Sequence, residues 1–119
     1  MYFLLVILFL PLDNLLPYNY IQIQIYPNNY IEGPCIIGHN TEVRPGAFLR
    51  GSILVGKNCV VGNATELKNT ILFDNVQVPH YNYVGDSILG YMAHMGAGAI
   101  TSNLKADKSN ILVKDCYDT

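Results

Sequence analysis

The sequence predicts an all-β fold, a single-stranded left-handed parallel β-helix of hexapeptide repeats, on three observations. Apolar residues recur at every sixth position, mostly small residues follow four places after them, and polar or turn-forming pairs fill the gaps. The apolar positions are Ile31, Ile37, Val43, Leu49, Val55, Val61, Leu67 and Phe73. The positions four places on are Cys35, Thr41, Ala47, Ile53, Cys59, Thr65 and Ile71. A period of six fits neither the 3.6-residue repeat of a helix nor a long strand alternating by two. It fits a short strand and then a corner, with pairs such as Gly33-Pro34, His39-Asn40, Pro45-Gly46 and Gly51-Ser52 supplying the bend. Three such units close a triangular coil of about eighteen residues, and coils stack about 4.8 Å apart, as neighbouring strands do. Residues eighteen apart therefore form ladders, Ile31–Leu49–Leu67 and Ile37–Val55–Phe73 among them.

In chain order, residues 1–30 read as an N-terminal apolar segment and cap, 31–103 as the β-helix, and 104–119 as a loop and the start of a further coil. The first sixteen residues, MYFLLVILFLPLDNLL, carry no basic residue before the apolar run, the first Lys or Arg being Arg44. A secretory signal needs that charge, and the uninterrupted run from Tyr2 to Leu10 is well short of the roughly 20 residues that span a bilayer. A cap or fragment edge is the favoured reading, with a membrane-associating segment or a signal as alternatives. The stretch Ile21 to Tyr26 alternates with period two and reads as a strand capping the first coil. The repeat register breaks after Phe73, where Pro79 to Tyr83 intervene, and resumes at Val84, Leu89 and Met95. Such irregularities map to loops on one face, often the functional one. No polar cap closes the far end, as a solenoid requires, so the β-helix is expected to be truncated.

Composition narrows the function. Half of the 119 residues are apolar, only 13% are charged, and the net charge is −2, with no basic run or aromatic-interleaved basic patch. Nucleic acid is not an expected partner. Cys35, Cys59 and Cys116 form neither a CxxC pair nor a zinc pattern, so no metal is expected, and a reducing cytoplasm is the simplest compartment. Neither standard glycine-rich nucleotide loop is present, and Gly96-Ala97-Gly98 reads as a tight corner.

Ladder spacing groups the polar residues. Arg44, Gly62 and His80 lie eighteen apart, as do Arg50 and Lys68. Cations along prism edges suit a phosphorylated or nucleotide-linked sugar, since Arg binds phosphate bidentately and Lys acts as a point charge; the alternative is a solvated surface. His80 lies in the register break, where an imidazole can take a proton from an amine that attacks a thioester. A surface or packing role is its alternative. His39 and His94 have weaker claims, and Cys35 and Cys59 read as inert packing.

Four segments carry a family resemblance: RPGAFLRG (Arg44 to Gly51), VGNATELKNTIL (Val61 to Leu72), PHYNYVGDSILG (Pro79 to Gly90) and MGAGAITSN (Met95 to Asn103). Together they resemble the glucosamine-1-phosphate acetyltransferase domain of the bacterial bifunctional enzyme that makes UDP-N-acetylglucosamine, and its stand-alone, nucleotidyltransferase-related β-helix relatives. The resemblance implies acetyl transfer from acetyl-CoA to the amine of an amino-sugar phosphate, in cell-envelope precursor synthesis. It implies His80 as general base, Arg44 and Lys68 as phosphate contacts, Tyr83 as a sugar contact, and Ala97 and Asn103 near the acetyl group and coenzyme. It also implies a homotrimer. Two positions depart from the pattern: His94 stands where the family has a substrate-binding asparagine, and Leu104 where it has a tyrosine. His94 can still donate a hydrogen bond to a sugar; Leu104 cannot. The rival reading is a trimerising β-helix scaffold without catalysis, because the fold alone does not define a function.

Overall fold

The computed structural model describes residues 6–7, 22–102, 104–110 and 112. Among them are thirteen short strands and no helix: β1 (Val6–Ile7), β2 (Ile23–Ile25), β3 (Tyr30–Glu32), β4 (Cys35–Ile37), β5 (Thr41–Val43), β6 (Phe48–Arg50), β7 (Ile53–Val55), β8 (Val60–Asn63), β9 (Glu66–Lys68), β10 (Thr70–Leu72), β11 (Gln77–His80), β12 (Tyr83–Gly85) and β13 (Ile88–Leu89). They form three parallel sheets, the faces of the expected β-helix. The first face runs β1-β4-β7-β10-β13, the second β2-β5-β8-β11, and the third β3-β6-β9-β12. Isolated bridges from Gln77 to His94 and from Tyr83 to Ile100 carry the second and third faces one coil further. The alternating Ile23–Ile25 stretch is a strand that ends the second face, paired with Thr41–Val43.

The corners follow from backbone chemistry. Between the first and second faces, Asn40, Asn58, Asn75 and Met92 stack with φ of 55–60°. Between the second and third, Asn28, Gly46, Ala64, Tyr81 and Gly98 do the same with φ of 49–78°. Asn and Gly adopt the left-handed region most cheaply, which is why the sequence places most of them there. Inside the prism, Ile37, Val43, Leu49, Val61, Leu67, Leu72, Val78 and Val84 are almost wholly buried. Each contributes about 1.5–3 kcal/mol relative to an exposed position.

The structure moves the register break. From β2 through Leu49–Leu67 partners lie eighteen apart, but Thr70 pairs with Ile53, Leu72 with Val55, and Val78 with Val61, each seventeen apart. The missing residue belongs to the corner between the third and first faces. Gly51 and Ser52 both turn there in one coil, whereas Asn69 alone, at φ 47°, turns the next. The break thus falls at Asn69, ahead of the expected position after Phe73. Leu72 fills the inner ladder and Phe73 is half exposed. Thr70 replaces Ile71 at the inward small position, its hydroxyl donating to Ser87 O at 2.6 Å.

Beyond Ser102, residues 104–110 include a turn closed by Lys108 N–H donating to Lys105 O. The further strand expected after it lies largely outside the described residues.

Candidate functional site

The seventeen-residue step changes the neighbours of the candidate base. Arg44 shares its level with Gly62 and Pro79, while His80 pairs with Asn63, one residue closer to the corner. The expected Arg44–Gly62–His80 ladder is therefore replaced by two adjacent columns. Arg44 and His80 still occupy the same end of the second face, two coils apart, or roughly 10 Å at the usual strand spacing.

His80 ends β11 on an exposed position, and its backbone is held on both sides. Its N–H donates to Asn82 Oδ1 at 3.0 Å. Its carbonyl accepts from Gly98 N–H at 3.0 Å, so the Gly96–Ala99 turn sits directly against the His80 strand. That turn closes with Ala99 N–H donating to Gly96 O at 3.1 Å. A Cβ added at Gly96 or Gly98 meets nothing within 4 Å. Ala97 stands exposed at its tip.

Sequence reasoning passed over Asn82. Its side chain points inward at 2% exposure, in the ladder of Asn29, Ala47, Thr65 and Ala99. The amide donates to Gly96 O at 2.8 Å and to Ala99 O at 3.0 Å. The signal available in the sequence was Asn29, at the head of the same ladder, which donates to Val43 O fourteen residues on, as Asn82 does to Gly96 O, and also to Tyr26 O of its own coil.

The third face carries Tyr83 and Lys68. Tyr83 lies level with Glu66, and Gly85 with Lys68. Gly85 gives the Tyr83 ring its place, because the phenol hydroxyl occupies the space a side chain at Gly85 would fill. Lys68 Nζ is 3.5 Å from Asp86 Oδ2. On the same face, Arg50 reaches Glu66 at 2.7 Å and stacks 5.6 Å from the Phe48 ring centre, and Phe48 meets Tyr30 edge-on. The Glu66 carboxylate raises the already high Arg50 pKa further. Arg44 is held by Glu42 through Nε at 3.1 Å and Nη2 at 3.3 Å. The three edge cations are thus each matched by a carboxylate in the same chain, which leaves them oriented rather than floppy.

The remaining candidates separate. His94 is exposed on the second face next to Gln77 and lines a shallow groove with Asn75, Tyr91 and Met92. Asn103 lies outside the described residues. No group of three or more His, Cys, Asp or Glu that could hold a metal occurs among the described residues, and no helix there is long and apolar enough to cross a membrane.

Outward on the first face, Ile36, Leu54, Ile71 and Ile88 form an apolar ladder beside a groove of about 530 Å³ edged by Ser52, Asn69, Asp86 and Ser87.

Known proteins resemble this chain over the same region. The bifunctional protein GlmU of Methanococcus aeolicus is 42% identical over 108 residues, covering 76% of this chain and 26% of that protein. The protein of the same name from Wigglesworthia glossinidia brevipalpis is 40% identical over 86 residues, covering 72% and 18%. That from Methanococcus maripaludis strain C5 is 42% identical over 69 residues, covering 58% and 17%. The chain therefore spans about a quarter or less of the length of these relatives. Residues 31–117, more than two thirds of the chain and all of its regular coils from β4 onward, match the GMPPB C-terminal domain model, and the chain belongs to that family.

Proposed function

We propose that this chain is an acetyltransferase-type β-helix domain that transfers the acetyl group of acetyl-CoA to the amine of an amino-sugar phosphate, of the glucosamine-1-phosphate kind. The observation that carries the proposal is His80: an exposed imidazole at a corner whose backbone is pinned to the Gly96–Ala99 turn by Gly98 N–H and Asn82. Base and acyl-binding turn are adjacent rungs of one column, with His80 level with Ala97. In the reaction the amine nitrogen attacks the thioester carbonyl carbon and its proton passes to the His80 imidazole. The C–S bond then breaks, the His80 imidazolium returns that proton to the sulfur, and coenzyme A leaves as its thiol. Gly98 N–H is spent on His80 O, so stabilising the developing oxyanion falls to Ala97 N–H in this reading. Arg44 and Lys68 take the phosphate by exchanging carboxylate partners for phosphate oxygens. Tyr83 and His94 orient the sugar, and Asn103 contacts the coenzyme.

Arg44 and His94 lie on the second face and Tyr83 and Lys68 on the third, so one chain presents half-sites on two faces. A homotrimer that sets one chain's second face opposite a neighbour's third completes the site under this proposal, in a cytoplasm that supplies acetyl-CoA.

A second reading is a trimerising scaffold, and the apolar outward ladder of the first face favours it. The test is thiol release from acetyl-CoA with glucosamine-1-phosphate, measured for this chain, a longer version that extends past residue 119, and His80→Ala. Release that disappears in the His80→Ala variant while the oligomer persists supports the enzyme. A longer version that assembles without releasing thiol establishes the scaffold.

A further inference from the structure

The geometry points to Asn82 as a positioning residue that couples the His80 strand to the Gly96–Ala99 turn, so that base and acyl-binding turn keep one fixed separation. This inference rests on the acetyl-transfer reading for its kinetic meaning, while the coupling itself is a property of the fold.

Asn82 uses its side-chain amide fully and in two directions. Oδ1 accepts the His80 N–H at 3.0 Å, and Nδ2 donates to Gly96 O at 2.8 Å and Ala99 O at 3.0 Å. Its own N–H reaches Thr65 Oγ1 at 3.3 Å, and that hydroxyl donates to Val78 O at 3.1 Å. The buried side chain therefore ties the His80 coil to the next one, and the Asn82 backbone N–H with Thr65 ties in the coil before, at the corner that carries the candidate base. Gly98 N–H donating to His80 O closes the ring of contacts from the other side. With the amide buried at 2% exposure, water does not replace a lost partner cheaply, so the group acts as a rigid spacer.

The ladder supplies its own controls. Asn29 holds the equivalent corner three coils away with a related set of bonds: Nδ2 donates to Tyr26 O of its own coil and to Val43 O of the next, and Oδ1 accepts from Ala47 N–H. Thr65 and Ala47 occupy the same position in other coils, so threonine and alanine both fit the site sterically. Asn82→Thr is the variant most certain to fold, since it repeats the residue beneath it.

The experiment compares Asn82→Ala, Asn82→Thr and Asn29→Ala in the full chain. The first readout is hydrogen exchange of the Gly98 amide, which needs no activity. Loss of a hydrogen bond of this kind is worth about tenfold in an opening equilibrium. Gly98 exchange is therefore expected to speed up about tenfold or more in both Asn82 variants and to stay within about twofold in Asn29→Ala. The second readout is steady-state acetyl transfer in the longest active version, where both Asn82 variants are expected to lower kcat about tenfold at an unchanged KM for the amine. Asn29→Ala, at matched melting temperature loss, leaves kcat intact. Unchanged Gly98 exchange in both Asn82 variants overturns the coupling, whatever the activity. Faster exchange with kcat retained overturns the positioning role and leaves acetyl transfer standing. A parent without activity refutes the acetyl-transfer reading separately, and the exchange data still decide the coupling.

Discussion

Gly62 offers the sharpest test of how closely the coils pack beneath the candidate base. It lies in β8 directly against Pro79 of β11, and a Cβ built there falls 1.6 Å from Pro79 O and 1.9 Å from Pro79 C, where 3.0 Å is the closest that real Cβ atoms come. Both obstacles are backbone atoms, so no rotamer change relieves them. Gly62→Ala must part the two strands by about 1.4 Å at that point, more than a hydrogen bond survives. The bonds at risk are Val60 N–H to Val76 O at 3.0 Å and Tyr81 N–H to Asn63 O at 2.9 Å, on either side of the collision. Losing two such partly exposed bonds costs about 0.5–1.5 kcal/mol each, so roughly 1–3 kcal/mol in total. In a domain of this size that lowers the melting temperature by on the order of 5–15 °C. The assay is thermal unfolding by circular dichroism, with hydrogen exchange at Val60 and Tyr81 to locate the damage. Gly90→Ala is the control, since a Cβ there meets nothing within 4 Å and its melting temperature is expected to match the parent or rise slightly. A Gly62→Ala chain that melts within about 3 °C of the parent would refute the packing, because a shift that small is less than 1 kcal/mol.

The Arg44–Glu42 pair provides a functional prediction. Glu42→Gln frees the guanidinium from a partially exposed, two-point contact, a pair worth about 0.5–1 kcal/mol. The KM for glucosamine-1-phosphate is then expected to fall about two- to fivefold, and an unchanged or higher KM in steady-state kinetics excludes Arg44 as a free phosphate ligand. The second concerns pH. Burial pushes the Cys35 thiol up from its ordinary 9.0 to about 11. A thiol whose folded pKa exceeds its unfolded value stabilises the fold fully below pH 9, and that contribution is lost as the pH rises through about 11. Denaturant titrations from pH 8 to 11 should show a loss of up to about 2–3 kcal/mol that is absent in Cys35→Val; parallel pH profiles for the two chains disprove the assignment. Cys59, raised by burial in the same direction, should likewise resist thiol reagents in the folded chain.

Sequence and structure part at the corner Lys68-Asn69-Thr70. Counting by six works as long as each corner has the same number of residues, and it identified the inner ladder from Ile31 to Leu67 correctly. It failed where one corner is a residue shorter, because Ile71-Leu72-Phe73 is a run of three apolar residues and the count accepts any of them. The inward Thr70 is the sign that the register has slipped: a hydroxyl there is useful only if a carbonyl of the next coil, Ser87 O, lies in reach.

What the sequence by itself determined is the fold. A six-residue repeat with Asn and Gly at the corners has few ways to bury its apolar positions except as stacked triangular coils. Which side chains meet was decided by tertiary structure. Contacts such as Arg50 with Glu66, Lys68 with Asp86 and Asn82 with Gly96 and Ala99 join residues fourteen to eighteen apart along the chain. Their partners depend on whether a coil takes seventeen or eighteen residues, and one residue of slip moves a whole face by about 3.3 Å along the strand. That shift places His80 beside Asn63 rather than Gly62, a distinction that only the closed coil, with its hydrogen bonds paired, makes.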